Sequence, residues 1–270
     1  MEELLKVNGE ELKKIQLEIL DVVVDFCDRH NIAYWIDCGT LLGAIRHKGY
    51  IPWDDDIDIG MLRPDYDRFK MLFNQYNDRY RFYSIENNAQ FLYPFGKVLD
   101  TTTVLYEPNK KGNKLSINID IFVYDNAPND DVLVTKMYKK RNRYLDLHWL
   151  RTSTIKPKGN IIRRIIIHCA RFILKIFPKN FFVKKVINNS KLCMEENTNR
   201  VGNFTAYSTI CCDKSIFDDF ITVEFEGKSY RAPVGYDSWL QAFYGDYMKL
   251  PPEEKRVSHH VFEAYKNEED

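Results

Sequence analysis

Four carboxylates crowd into five consecutive positions of this 270-residue chain: Asp54, Asp55, Asp56 and Asp58. Such a group repels itself unless a cation or solvent compensates it. Asp56 and Asp58 alternate with Ile57 and Ile59, which predicts a strand with carboxylates on one face and isoleucines on the other. Two carboxylates placed that way suit a hard divalent ion such as Mg2+ or Mn2+. The plainer reading is an acidic surface turn, but the apolar flanks put the pair at the end of a buried strand. A further carboxylate, Asp120, stands inside LSINIDIFV (115–123), whose alternation and isoleucine content predict a central strand. A lone ionised carboxylate there is unfavourable unless paired or bound to metal. Asp120 therefore either joins Asp56 and Asp58 around an ion or partners a buried Arg or Lys. Asp125, just beyond, is expected in a turn.

The candidate anion-binding groups lie around these acids. Gly39 and Thr40 follow a predicted strand, IAYWI (32–36), and precede a short helix, LLGAIR. A glycine at such a junction lets the backbone approach a phosphate, with the N–H groups of the helix start facing the anion. It can equally serve only to relieve a tight bend. Arg46, His47, Lys48 and Trp53 stand between that turn and the acidic cluster. Lys97 lies in FLYPFGKVL (91–99), read as a strand interrupted at Pro94 and Gly96, and either holds a phosphate or pairs with Asp100. In the C-terminal stretch YGDYMKLPPEEKRVSHH, the residues Tyr244, Tyr247, Arg256, His259 and His260 either line a ligand site or pack as a tail.

The remaining elements must position these groups. Residues 10–30 carry Leu12, Ile15, Ile19, Val22, Val23 and Phe26 at helical spacing, with charged residues opposite. Residues 64–80 form a second helical pattern. After Asn203 strands are expected at 204–212, then at 220–226 and 228–232 around a Glu226-Gly227 turn. A short helix over 237–244 ends at Gly245, and Pro251-Pro252 enforces an extended exit.

Composition narrows the class of partner. Charged residues make up 29% and the formal net charge is zero, so no global attraction to nucleic acid follows. The six cysteines show neither a CxxC pair nor a framework spacing, and the acidic start has no secretory pattern, which points to a reducing cytoplasm. Charge is segregated, however. From 138 to 191 Lys and Arg alternate with apolar clusters. On a helix Ile162, Ile165, Ile166, Cys169, Phe172, Ile173 and Ile176 share one side, and Arg164, His168, Arg171 and Lys175 the other. No uncharged run approaches the roughly 20 residues that span a bilayer. Such a helix can lie in an anionic membrane surface or pack on the domain with its basic face in water. Its apolar face argues against nucleic acid.

The order strand, Gly-Thr turn, helix, strand with Asp-x-Asp resembles the nucleotidyltransferase fold. More specifically, GTLLGAIRHKGYIPWDDDIDIGM, INIDIFVYD and YGDYMKLPPEEKRVSHH together resemble the LicD-type phosphocholine transferase family, related to the fukutin-related proteins of animals. The resemblance implies a single α+β domain with a nucleotidyltransferase-like mixed sheet flanked by helices, carrying a basic helical insertion at about 130–200. It implies that Asp56, Asp58 and Asp120 are catalytic and bind Mg2+, and that Gly39 and Thr40 form the glycine turn. The implied donor is a CDP- or CMP-activated alcohol phosphate and the acceptor a hydroxyl of a glycan or lipid-linked glycan, with CMP released. A nucleotidyltransferase releasing pyrophosphate and a non-catalytic membrane-associated scaffold are the alternatives. Two features depart from the general fold pattern: the spacer before Asp56 is long, and Asp54 and Asp55 precede it, so Asp54 is a further candidate ligand.

Overall fold

A computed structural model of the chain describes residues 4–107, 114–207, 209–258 and 262–267. A short strand, β1 (Leu4–Lys6), leads into helix α1 (Gly9–Arg29). The Asn8 side chain caps this helix by accepting from the Glu11 N–H, and Glu10 and Glu11 complement the helix dipole in its first turn. Its apolar stripe, Leu12, Ile15, Ile19, Val23 and Phe26, is buried, as the spacing predicts. Then follow β2 (Trp35–Ile36), α2 (Cys38–His47), β3 (Asp58–Leu62) and α3 (Arg63–Leu72). Next come β4 (Tyr80–Tyr83), β5 (Gly96–Asp100), β6 (Thr103–Tyr106), β7 (Lys114–Leu115) and β8 (Asn118–Asn126). Helices α4 (Asp131–Thr152), α5 (Ile161–Leu174) and α6 (Phe181–Ser190) occupy the basic segment. The chain returns through β9 (Arg200–Gly202), β10 (Cys211–Asp213), β11 (Phe220–Phe225), β12 (Lys228–Pro233), α7 (Tyr236–Tyr244) and β13 (Glu263–Asn267).

The architecture is α+β, organised around β8. This nine-residue strand pairs in parallel with β3 and antiparallel with β5 and β9, so the main seven-stranded sheet is mixed. Strands β2, β4 and β10 extend it beside β3, β5 and β9. Ile119, Ile121, Phe122, Val123 and Tyr124 are all buried, the continuous apolar run of a strand covered on both faces. Helix α1 packs on β5 and β8, α3 on β3 and β8, and α2 against β3, β11 and α7. A smaller sheet runs β1-β13-β6-β7, and β11 and β12 form a hairpin. The hairpin turns where expected: Glu226 and Gly227 have φ of 50° and 74°, the left-handed pair that a two-residue connection requires.

Four expected elements come out differently, for local reasons. The strand after the acidic cluster begins at Asp58, so Asp56 lies in the preceding loop and not on the strand. The helix expected to reach residue 80 ends at Leu72 and tightens into a 3-10 turn to Gln75. There the Asn74 side chain bonds both the N–H and the carbonyl of Phe82, acting as a strand partner for β4. The stretch 91–99 is strand only from Gly96, whose missing side chain admits the Phe82 ring; a Cβ there would stand 2.2 Å from it. Residues 204–207 are not a strand, because the Asn203 side chain accepts from the N–H groups of Thr205 and Ala206 and folds the chain over. Asp125, expected in a turn, is instead fully buried in β8, where both its oxygens accept from Arg63 at 2.6 and 2.8 Å.

Candidate active site

The register of the central strands assembles the site. Asp58 of β3 stands directly beside Asp120 of β8, and Asp120 directly beside Lys97 of β5. Cross-strand partners project from the same face, so these three side chains form one row across the sheet. The Lys97 ammonium bonds Asp120 Oδ1 and also Asn118 Oδ1, the latter at 2.9 Å. It lies 4.7 Å from the centre of the Tyr93 ring and 5.4 Å from that of Phe95. Lys97 thus pairs with Asp120 and not with Asp100, whose carboxylate is held by Arg79. Both readings of Asp120 therefore meet in one residue: it has a lysine partner and it neighbours Asp58.

Asp58 is buried. Burial first, then the negative charges of Asp56, Asp120, Asp37 and Asp54, push its carboxyl well above the usual carboxylate range. Asp54 and Asp56 of the acidic loop are thus near enough to Asp58 to act on its charge. Within the loop, one oxygen from each of Asp54, Asp55 and Asp56 lies within 4.8 Å of the others. Backbone and side-chain bonds fix the loop: Gln16 of α1 donates to the Asp55 carbonyl at 2.9 Å, and Ser258 donates to Asp55 Oδ2 at 2.8 Å. Among the described residues these three half-buried loop carboxylates are the ones that converge closely enough to share a divalent cation such as Mg2+; Asp58 and Asp120 stand side by side on the sheet and are not in that group.

Helix α2 positions the loop and the strand together. A Cβ at Gly39 would stand 2.6 Å from Asp54 Oδ2, so this glycine lets the acidic loop lie against the helix start. Asp54 is thus an anion beside that start, where the helix dipole favours negative charge. Thr40 is buried, and its hydroxyl accepts from the Asp58 N–H at 2.9 Å, tying α2 to the first residue of β3. The helix cap is Asp37, which the sequence reading passed over. Asp37 is fully buried and accepts from the Cys38 N–H (2.9 Å), the Tyr124 hydroxyl (2.5 Å) and Trp239 Nε1 (3.0 Å). Its own N–H donates to the Asp58 carbonyl at 2.9 Å. An Asp immediately before a short helix is an N-cap signature, and that signal was available. Cys38 takes a left-handed φ of 46°, an uncommon conformation for a residue with a side chain, and the Asp37 bond holds it there.

The basic candidates stand at the other end of α2. Arg46 Nε donates to His47 Nε2 at 2.9 Å, and Arg46 Nη1 to the Tyr247 carbonyl at 2.8 Å. The His47 and Trp53 rings meet edge to face at 6.5 Å, and Arg256 lies over Trp53 at 5.8 Å. Burial lowers the pKa of Arg46, Tyr244 raises it and the like charge of Arg256 lowers it again, so two guanidiniums share this wall. Lys48 is exposed at the left-handed end of the helix, φ 61°. Tyr247 is buried and its hydroxyl donates to Asp237 at 2.6 Å, which turns its side chain towards α7. Tyr244, by contrast, belongs with the acids. Although 41% of the residue is exposed, desolvation of its phenol and then the neighbouring Cys38, Asp58, Asp37 and Asp54 raise that group above its ordinary pKa. His259 and His260 lie outside the described residues.

The chain resembles known proteins along nearly its whole length. Residues 31–161 match the family model described as LicD/FKTN/FKRP, nucleotidyltransferase domain, a span that holds Gly39, the acidic loop, Lys97 and Asp120. The chain is 34% identical to the lipopolysaccharide cholinephosphotransferase LicD of Haemophilus influenzae, over 96% of this chain and 98% of that protein. It is 44% identical to the ribitol 5-phosphate transferase FKRP of Homo sapiens over 43 residues, 16% of this chain and 9% of that protein. An uncharacterized protein of Rickettsia typhi is 36% identical over half of this chain and 40% of its own length.

Proposed function

This chain belongs to the LicD family, and from that premise we propose that it transfers an alcohol phosphate to a glycan. The head group would be phosphocholine or a related phospho or phosphono group, carried on a CDP- or CMP-activated donor. The acceptor would be a hydroxyl of a cell-surface or lipid-linked glycan. The observation that carries this reading is the row Asp58, Asp120, Lys97 with the acidic loop near Asp58 at the start of α2.

Asp56, Asp58 and Asp120 would hold Mg2+ or Mn2+, with Asp54 a further ligand; the bound ion supplies charge neutralisation for the donor diphosphate. Arg46, His47 and Lys48, with Trp53 beside them, would bind the remaining phosphate charge and the nucleotide. Gly39 and Thr40 serve the site by bringing Asp54 and Asp58 against α2. The acceptor hydroxyl oxygen attacks the phosphorus that bears the head group. The bond from that phosphorus to the bridging oxygen breaks, the electron pair stays with the bridging oxygen, and CMP leaves. The hydroxyl proton passes to the Asp120 carboxylate, which Lys97 orients. A lipid-linked acceptor would bring the enzyme to the cytoplasmic face of a membrane as a peripheral protein. Among the described residues no helix is long and apolar enough to cross one.

The test is incubation of the purified chain and a glycan acceptor with a panel of CDP- and CMP-linked alcohols in Mg2+, following released nucleotide. CMP formed in step with glycan modification is expected. Pyrophosphate released from CTP, supplied in place of the panel with the alcohol phosphate as acceptor, would make the enzyme a nucleotidyltransferase, and the absence of metal-dependent CDP-alcohol binding would reduce it to a scaffold.

A further inference from the structure

Helix α5 is attached to the protein by its narrower apolar stripe. It sits against α4, and Ile167, Ala170 and Leu174, which recur at helical spacing, are the apolar positions drawn out of solvent. The broader apolar face is left in water. Ile161 is 65% exposed, Phe172 74% and, just past the helix end, Ile176 81%; Ile162, Ile165, Ile166 and Ile173 are also exposed. A helix folded only for the sake of the core would bury its larger apolar face. A contiguous exposed patch of this kind marks a surface that meets something else.

Charge identifies the occupant. From residue 147 to 194 the sequence holds eleven Lys and Arg and no Asp or Glu, although the whole chain is neutral. One of the eleven, Lys191, is tied to Glu86 at 3.0 Å. On α5 Arg164, His168 and Arg171, and Lys175 at its C-cap, flank the exposed isoleucines. A second copy of the chain would bring the same unbroken positive field against itself. Nucleic acid would leave the isoleucines and Phe172 in water. An anionic bilayer surface satisfies both halves of the helix, with the apolar face sunk to the acyl boundary and the basic side chains among the headgroups.

We infer that α5 is an in-plane membrane-docking helix that seats the protein on anionic phospholipid through Ile161, Ile162, Ile165, Ile166, Phe172 and Ile173. The inference builds on the reading of a lipid-linked acceptor, yet its test needs no donor and no acceptor, so the two can fail separately. The full chain is sedimented with vesicles of phosphatidylcholine alone or with phosphatidylglycerol added. Binding to the anionic vesicles, weakened by salt and absent from the neutral ones, is expected. Ile165→Glu combined with Phe172→Glu should lower that partitioning about 10-fold or more, since it removes apolar contact and adds like charge to the lipid. Its circular dichroism should match the parent. In a second readout, Phe172→Trp should shift its fluorescence to the blue on anionic vesicles. Failure to sediment, sedimentation unchanged by the double substitution, or a lipid-free dimer that the double substitution dissociates would each overturn the inference.

Discussion

Strand β8 carries two aspartates five residues apart, each opposite a cation, and the two ends are built for different purposes. At Asp125 the Arg63 guanidinium closes on both oxygens at 2.6 and 2.8 Å, with both side chains sealed from solvent. At Asp120 an ammonium engages one oxygen and divides its protons with Asn118, while Asp58 stands on the neighbouring strand. A planar fork matched to a carboxylate uses up its hydrogen-bonding capacity; a point charge sharing a carboxylate orients it without closing it off. The first arrangement fastens α3 to the sheet. The second leaves an acidic group poised among other acids, where only a ligand can complete the balance. A buried carboxylate is thus no guide to function by itself; what surrounds its partner decides.

The comparison is broken most decisively at Asp58. Asp58→Asn should reduce turnover by about 10³-fold or more, as loss of a group that acts on transition-state charge does. It should not lower the melting temperature, because the substitution removes a buried like charge. Thermal shift with Mg2+ should also vanish in this variant. Near-normal turnover in a folded Asp58→Asn protein would remove the site from Asp58.

Asp125→Ala should behave in the opposite sense. Stranding Arg63 without its partner should cost about 3–5 kcal/mol in urea unfolding, while activity per folded molecule persists. Replacing both partners, Arg63→Met with Asp125→Leu, should recover much of that loss. Lys97→Met then sharpens the contrast. If its pair orients Asp120 for proton transfer, turnover should fall roughly 10²-fold with a smaller loss of stability than Asp125→Ala shows. A stability loss equal to that of Asp125→Ala, with turnover intact, would make the two pairs equivalent. Thr40→Val is milder. It removes the acceptor of the Asp58 N–H and should cost about 1–3 kcal/mol, read as a lowered denaturant midpoint.

What the sequence discloses of this site follows from what register and local pattern can carry. The alternation in INIDIF places Asp120 on a buried strand, and Asp-Ile-Asp-Ile places Asp58 at the mouth of another. Neither shows that the two strands run parallel with these residues side by side, since pairing across some sixty positions is decided by the packing of α1 and α3. Lys97 reads as near acids, but its choice of Asp120 over Asp100 depends on which residue faces it across β5 and β8, and on Arg79 having taken Asp100. Asp125 misleads because an acid beyond a strand resembles a turn residue until Arg63, 62 positions earlier, is seen to meet it. Gly39 signals a close approach, and only the fold identifies the Asp54 carboxylate as what approaches. The amphipathic pattern of α5 is legible outright, whereas the face it turns to the protein is set by α4.

The smallest effect concerns the basic wall. Burial first, and then the positive charge of Arg46, hold the His47 pKa below its ordinary 6.5. The ring is therefore neutral at pH 7, and its Nε2 can accept from Arg46 Nε. Because the folded value lies below the unfolded one, the folded state binds fewer protons between the two. The His47 contribution to stability is present in full above about 6.5, the reference histidine value, and is lost as pH falls through the folded value. The ring is partly exposed, so solvent screening keeps the effect small. Proton NMR of the His47 ring should give a midpoint below 6.5, and Arg46→Gln should move it back up by removing the like charge. A midpoint at or above 6.5 in the parent would mean that the Arg46–His47 bond does not form in solution, and the wall would then present two competing cations in place of one oriented guanidinium.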